Sequence, residues 1–422
     1  MRKKVSVLVE KYTCEKRYLD ANKVKDYFLQ NNYIIVNNPK KSDIIFFITC
    51  AASEIQAEFS LEKIRELKKY KAELIVGGCL PGIDEKKLRD VFSGRIIITK
   101  DMSQLDALFP ENKIKYKEIM EAHTLASNLD LPIYNEVKQI FHSSKDVLLR
   151  GLLGKKSYLY SELAKTTFYY LTCSTGCLGS CSYCSIKKAT GSLVSKKLDR
   201  CMNEFATGLK AGYTHFKVVG DDVGAYGMDI DETFPTLLDK MTRVPGDYEI
   251  TVQSIHPQWM VKYIDDIENI LKRGKVVHLA VLIQSASPRI LRMMNRYSEI
   301  EKIRNAFARL RTAYPELKIN THCIVGFPSE TMAEFKETLA FINDFNLSGF
   351  IFFFSERPNT RALELEPKIT DEEKMRRLNY AKHYLRKRKY HVLFVPSKKI
   401  FIFDTVHYGK DAMKSNTVIR NI

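Results

Sequence analysis

The chain has no apolar run approaching the roughly 20 residues that a membrane-spanning helix needs. Its longest such run, around Phe350 to Phe354, has the length of a buried strand. A signal-peptide core is also missing, because Met1-Arg-Lys-Lys-Val passes straight into a strand pattern. These absences exclude a membrane partner and point to a cytoplasmic protein. Disulfides are not expected in a reducing compartment, so nine cysteines call for metal or redox chemistry. Acidic residues are in short supply: 50 Asp and Glu stand against 67 Lys and Arg, a net charge of +17. From Asp371 to Ile422 there are thirteen Lys and Arg against five Asp and Glu, with Arg386-Lys-Arg-Lys389 the densest run. That tail fits a polyanion such as nucleic acid, and equally a solvated helix end whose dipole favours cations. With 45% hydrophobic and 28% charged residues the composition is otherwise that of a globular chain of two or three domains.

The chain is organised around Cys177-Leu-Gly-Ser-Cys181-Ser-Tyr-Cys184, a C-x3-C-x2-C loop after the aromatic run Phe168 to Leu171. One such loop can wrap a compact metal centre from three sides. A structural zinc site wants a fourth Cys or His nearby, and Cys173 lies four residues upstream on a strand end. A cubane iron–sulfur cluster is held by thiolates, and three of them leave one iron open. Both readings stand on the spacing alone.

Residues 1–109 alternate strand and helix patterns: Val5–Val9, Asp20–Gln30, Asp43–Thr49, Ser53–Tyr70, Glu73–Gly77 and Arg95–Thr99. This predicts a parallel α/β sheet. Cys14 follows its first strand, Cys50 ends the next long one, and Cys79 ends a third beside paired glycines. Ligands gather at the carboxyl ends of parallel strands, so these three thiols are candidates for a second cluster. The alternative is three buried small side chains. Residues 110–165 form a connector with no catalytic motif, helical in pattern from Glu118 to Leu129. From 166 to 395 the alternation resumes, with about six strands each followed by polar, Gly- or Pro-bearing loops. That pattern predicts an open, partial (β/α)6 barrel. A tail, 396–422, holds two possible strands, Lys399–Phe403 and Asn416–Ile419.

The loops carry a family resemblance. Gly-Asp-Asp-Val-Gly-Ala-Tyr-Gly-Met-Asp (220–229), Ser-Ile-His-Pro (254–257), Gln-Ser-Ala-Ser (284–287) and Met-Asn-Arg-Tyr-Ser (294–298) are four of them. Ile-Val-Gly-Phe-Pro-Ser-Glu-Thr (324–331) and Ser-Glu-Arg-Pro-Asn-Thr (355–360) are two more. With the cysteine loop, Cys14, Ile-Thr-Cys50 and Gly-Gly-Cys79, the chain resembles the radical S-adenosylmethionine (SAM) methylthiotransferases of the MiaB/RimO type. The resemblance implies an enzyme that converts an unactivated C–H into C–S–CH3 with two 4Fe-4S clusters and SAM. One SAM would supply the methyl group and another the radical. Cys177, Cys181 and Cys184 would hold the SAM-binding cluster, and Cys14, Cys50 and Cys79 the auxiliary cluster that carries the sulfur. Tyr183, Asp221, Asp222, Gln284, Ser285, Gly326 and Glu330 would surround SAM. Asp221 and Asp222 have turn and cap chemistry as their plainer role, and His256 is as readily a packed core histidine.

Departures are Ala286 and Ser329, where the family usually carries Gly, and the short tail in place of a small all-β domain of the TRAM type. The tail favours a peptide or protein side chain as substrate, with a natural-product precursor as one case. The basic charge supports a tRNA adenosine instead. A reductase or flavodoxin-type donor would supply electrons. The reading from another class is a non-enzymatic, zinc-bearing RNA-binding protein.

Overall fold

The computed structural model describes residues 2–11, 13–125 and 168–405. The first unit is a five-stranded sheet built from β1 (Lys4–Val9), β2 (Ile34–Ile35), β3 (Ile44–Thr49), β4 (Glu73–Gly78) and β5 (Arg95–Ile98). Its order is β2-β1-β3-β4-β5 and every pairing is parallel. The central strand β3 explains the architecture. Its six residues, Ile-Ile-Phe-Phe-Ile-Thr, are all buried, and alternate side chains enter different cores. Ile44, Phe46 and Ile48 meet Val24, Tyr27 and Phe28 of α1 (Glu15–Gln30). Ile45 and Phe47 meet Leu61 and Ile64 of α2 (Glu54–Leu67). Helices on both faces are what an all-parallel sheet requires, and a continuous apolar strand is its sequence mark.

The second unit holds β6 (Tyr169–Thr172), a small ribbon of β7 (Ser174–Thr175) and β8 (Val194–Ser195), then β9 (His215–Val219), β10 (Glu249–Ile255), β11 (Val276–Val281), β12 (Lys318–Val325) and β13 (Ser348–Phe353). The six strands β6-β9-β10-β11-β12-β13 pair in chain order and in parallel, as the expected partial barrel does. Helices between them, such as Ile300–Ala313 and Met332–Asp344, bury Phe307, Phe335 and Phe341 against the sheet.

Two features differ from the sequence reading. The strands β14 (Tyr390–Val395) and β15 (Ile400–Thr405) form an antiparallel hairpin, and β15 pairs with β13. The barrel sheet thus runs across the 395/396 boundary. The reason lies in burial: Phe401 and Phe403 enter the barrel core, each 1% exposed. The second expected tail strand, Asn416–Ile419, lies outside the described residues. The other difference concerns Glu118–Leu129. After a single 3-10 turn at Tyr116–Glu118, residues 119–125 are not helical. Their backbone serves the open edge of β6, where Tyr170 donates to the His123 carbonyl at 2.7 Å. His123 also stacks on Tyr169 with ring centroids 4.5 Å apart. An unpaired strand edge competes with the helical pattern and wins. The remainder of the connector lies outside the described residues. No described helix is long and apolar enough to cross a membrane.

Candidate active site: two thiol triads and the loop between them

Each cysteine of the first triad is set by a strand end. Cys14 stands immediately before α1 in extended conformation. Cys50 follows β3, and its N–H donates to Ser60 Oγ at 3.0 Å while Ser60 returns a bond to its carbonyl at 2.8 Å. Cys79 follows β4 through Gly78, whose φ of +100° and a Cβ position only 2.4 Å from the Thr49 carbonyl admit glycine alone. Burial pushes the Cys50 thiol up to about 12, and the neighbouring thiols of Cys79 and Cys14 add to it. Cys79 is pushed up to about 11 by burial, against the pull of Arg17, with Cys14 again adding. Cys14 is named among the charges acting on both, so the three residues lie near one another, although 65 positions of chain separate the first from the last.

The second triad is local. The loop 177–184 is pinned from outside: Ser182 N–H donates to the Met294 carbonyl at 2.8 Å and its hydroxyl to that of Met293 at 2.8 Å. Asn295 reaches the Ser180 carbonyl at 2.9 Å. The Gly179 N–H points at Cys177 Sγ, 3.2 Å away. A Cβ on Gly179 would lie 3.3 Å from Cys177 Sγ and 3.9 Å from Cys181 Sγ, so the loop is a cradle that a side chain would fill. Burial raises Cys177 to about 12 and raises Cys184 as well. Coordination reverses that cost, because a metal takes the thiolate outright.

Among the described residues no three His, Cys, Asp or Glu side chains stand together as a site for one metal ion. A tetrahedral zinc site draws its ligands onto a single centre. A cubane spreads its thiolates over different irons. Three thiolates per triad are the donor set that a cubane with one open iron takes.

The triads are tied to each other by polar contacts. Lys16, two residues after Cys14, donates to Asp221 Oδ2 at 2.6 Å, and the Gly176 N–H donates to the same oxygen at 2.7 Å. One carboxylate thus links the start of α1 to the residue before Cys177. The loop after β13 makes a second tie. Ser355 accepts from the Glu54 N–H at 3.0 Å, at the start of α2 and near Cys50. Further along the same loop, Lys188 donates to the Asn359 carbonyl at 2.9 Å and Arg361 to that of Ser180 at 3.2 Å. A cleft of about 270 Å3 opens there between Cys181, Cys184, Lys187 and Thr360.

The residues expected around SAM divide by their contacts. Tyr183 is part of the loop, and its hydroxyl accepts from Arg296 Nη1 at 3.3 Å; the same guanidinium atom is 3.3 Å from Cys181 Sγ. Asp222 is engaged by protein, accepting from Trp259 Nε1 at 2.8 Å and the His256 N–H at 3.3 Å. Ser285 is fully buried and accepts from the Ser287 N–H at 3.2 Å. Glu330 accepts from the Gly326 N–H at 2.8 Å and Arg377 at 2.7 Å, so these two expected residues brace one turn. Gln284 sits at the end of β11 with φ +69° and bridges to Cys323 through its backbone. His256 caps the helix Pro257–Lys262, and burial with Arg296 nearby pulls its ring down to about 2.

Sequence reasoning missed four cations and one indole at the site: Lys16, Arg17, Arg296, Arg357 and Trp259. The signal was present for Arg296, inside the Met-Asn-Arg-Tyr-Ser motif, and for Lys16 and Arg17, within one turn of Cys14. For Trp259, only the tertiary contact to Asp222 reveals the role.

Residues 171–342 match the Radical SAM superfamily model, and residues 6–99 match that of Uncharacterized protein family UPF0004. The chain is 27% identical over 366 residues to a probable threonylcarbamoyladenosine tRNA methylthiotransferase of Pyrococcus horikoshii, covering 85% of this chain and 79% of that one. It is 26% identical over 394 residues to the tRNA-2-methylthio-N(6)-dimethylallyladenosine synthase of Acinetobacter baylyi, 90% of this chain and 77% of that one. It is 28% identical over 387 residues to the ribosomal protein uS12 methylthiotransferase RimO of Acetivibrio thermocellus, 90% and 81%. In fold it is similar to the radical SAM methyltransferase TsrM of Kitasatospora setae, with a TM-score of 0.59 at 11% identity over 99% of this chain and 89% of that one. These matches set aside a non-enzymatic zinc protein. The chain thus carries a radical SAM domain and a UPF0004 domain and is similar over most of its length to radical SAM methylthiotransferases, enzymes whose cofactors are SAM and two 4Fe-4S clusters.

Proposed function

We propose that the chain replaces a C–H bond of a tRNA adenosine by C–S–CH3. The observation that carries the substrate is charge: a surplus of +17 on a chain similar to two enzymes named for tRNA. The peptide substrate expected from the short tail finds no support among the relatives, which are named for tRNA and for ribosomal protein uS12. A ribosomal protein is the second reading, favoured by the similarity to the uS12 enzyme.

In this reading Cys177, Cys181 and Cys184 hold the cluster that binds SAM, and Cys14, Cys50 and Cys79 hold the one that bears the sulfur. When bound, these groups supply reductive SAM cleavage and the methylthio group. The protein supplies placement. Tyr183, Gln284 and the Gly326 turn would contact SAM, and Arg296, beside Cys181 and Tyr183, would offer its carboxylate a cation. Asp221, Asp222, Ser285 and Glu330 act through the backbone they hold, which makes them positioning residues. Electrons come from a reductase or flavodoxin-type donor.

The test is anaerobic reconstitution, incubation with SAM and either bulk tRNA or ribosomal protein, and mass spectrometry of both pools. A methylthioadenosine in tRNA, with tRNA binding that weakens steeply as salt rises, is the expected result. A methylthio mass on ribosomal protein alone would replace this substrate by the second.

A further inference from the structure

Two buried guanidiniums serve the N-terminal triad's surroundings: Arg17 touches Cys79, and Arg357 lies near enough to Cys50 to feel its charge. Arg17, on α1, is 2% exposed. Its Nη atoms are engaged by Asp20 at 3.0 Å, by the Thr99 hydroxyl, and by Cys79 Sγ at 3.8 Å, which leaves only its Nε without a partner. Arg357, in the loop after β13, is 4% exposed, and both its Nε and its Nη2 are buried with no partner. Its loop is fixed on the Cys50 side of the triad by the Ser355 contact to Glu54. Within the loop the Thr360 hydroxyl donates to the Arg357 carbonyl at 2.8 Å, which holds the backbone that presents the side chain. Burial works against the Arg357 charge; Asp84, Glu54 and Cys50 are the groups that favour it. Neither carboxylate forms an ion pair with it among the described residues.

Leaving buried donors of a cation unpaired forfeits their hydration with nothing in return. A guanidinium is also a rigid fork suited to anions. A missing anionic partner accounts for both facts. Burial limits its size, since a phosphodiester of a polymer cannot reach a side chain 4% exposed. We infer that Arg357 is the receiving residue for the small sulfur anion, of the hydrosulfide class, that loads the N-terminal triad. The inference rests on the proposed seat of the auxiliary cluster at Cys14, Cys50 and Cys79, and it assigns the protein group that holds the incoming sulfur there. The step is binding only: the anion arrives as HS−, two N–H groups of Arg357 donate to it, and no electron moves.

The experiment titrates sodium hydrosulfide into the reconstituted full chain, with SAM saturating the Cys177–Cys184 side. Sulfide retained after desalting and the electron paramagnetic resonance of the reduced protein are the readouts, beside iron content. Arg357→Met should bind hydrosulfide about tenfold more weakly or worse, while Arg357→Lys, which keeps the charge but not the fork, should fall between. Should Arg357→Met fail to take up iron, Arg357→Lys decides alone, by weakened or unchanged affinity. About eight irons per chain in parent and variants, with equal hydrosulfide affinity, would overturn the inference and leave the two-cluster reading standing. About four irons in the parent would overturn both.

Discussion

Lys217→Met is the substitution whose effect follows most directly from the structure. Lys217 lies on β9 with no exposed surface, and its ammonium meets the carboxylate of Glu15, 4% exposed, at the start of α1. The Tyr170 hydroxyl donates to the same carboxylate at 3.3 Å, and the ammonium lies 5.7 Å and 5.6 Å from the ring centroids of Phe168 and Tyr170. The pair therefore joins the two units in a place shielded from solvent. At an effective dielectric of about 20, unit charges about 4 Å apart attract by roughly 4 kcal/mol. Removing the cation strands a buried carboxylate, at a cost of about 3–5 kcal/mol. At about 2–4 °C per kcal/mol, Tm should fall by roughly 10 °C. The double variant Glu15→Leu/Lys217→Met replaces both charges by apolar groups and should recover most of the loss. Circular dichroism melts of the parent, both single variants and the double variant complete the cycle. Single variants within about 1 kcal/mol of the parent, and additive in the double, would refute the reasoning.

Other expectations follow from the same contacts. Cys177→Ala should abolish 5′-deoxyadenosine formation, whereas Cys79→Ala should spare SAM cleavage and stop sulfur transfer; methylthiolated product from the Cys79 variant would remove the auxiliary-cluster assignment. Trp259→Phe takes the indole donor from buried Asp222 and should cost about 1–3 kcal/mol in chemical denaturation; no loss would mean the bond is dispensable. His278 is held down to about 3 by burial, with Lys217 and Lys318 adding. A depressed folded pKa gives stability that is complete above about 6.5 and falls as pH drops from there towards about 3. At pH 5 the loss through this one group reaches about 2 kcal/mol, and His278→Gln should flatten the decline of Tm between pH 7.5 and 5. An unchanged slope in the variant would show that His278 is free to protonate in the folded protein.

The fold was largely legible because its signals are local. Buried parallel strands announce themselves as short apolar runs, and Asp43–Thr49 was found within a residue of β3. The two-residue strand β2 was too short to leave a pattern. The helix expected from Glu118 failed because periodicity does not see that β6 has an open edge to cover. The cysteine positions were legible through their places at strand ends. The SAM surroundings were less so. Asp221, Asp222 and Glu330 have the side chains of ligand contacts, and only the positions of Lys16, Trp259 and Arg377 show where their hydrogen bonds go. Arg357 stood in a quoted motif, but its missing partners are a property of packing, which sequence does not display.

The unequal construction of the two triads bears on how the protein matures. Cys177, Cys181 and Cys184 lie within one eight-residue loop, so a chain still unfolded can bring them to iron at little loop-closure cost. Cys14, Cys50 and Cys79 meet only because β1, β3 and β4 are neighbours in a finished sheet. Their convergence is itself a product of folding, and metal binding there is coupled to the stability of that sheet. During synthesis the N-terminal triad is made first but becomes competent only when its sheet closes, whereas the later triad is competent as soon as it leaves the ribosome. If the two triads seat the clusters as proposed, iron delivery to them answers to different clocks, one set by folding and the other by supply.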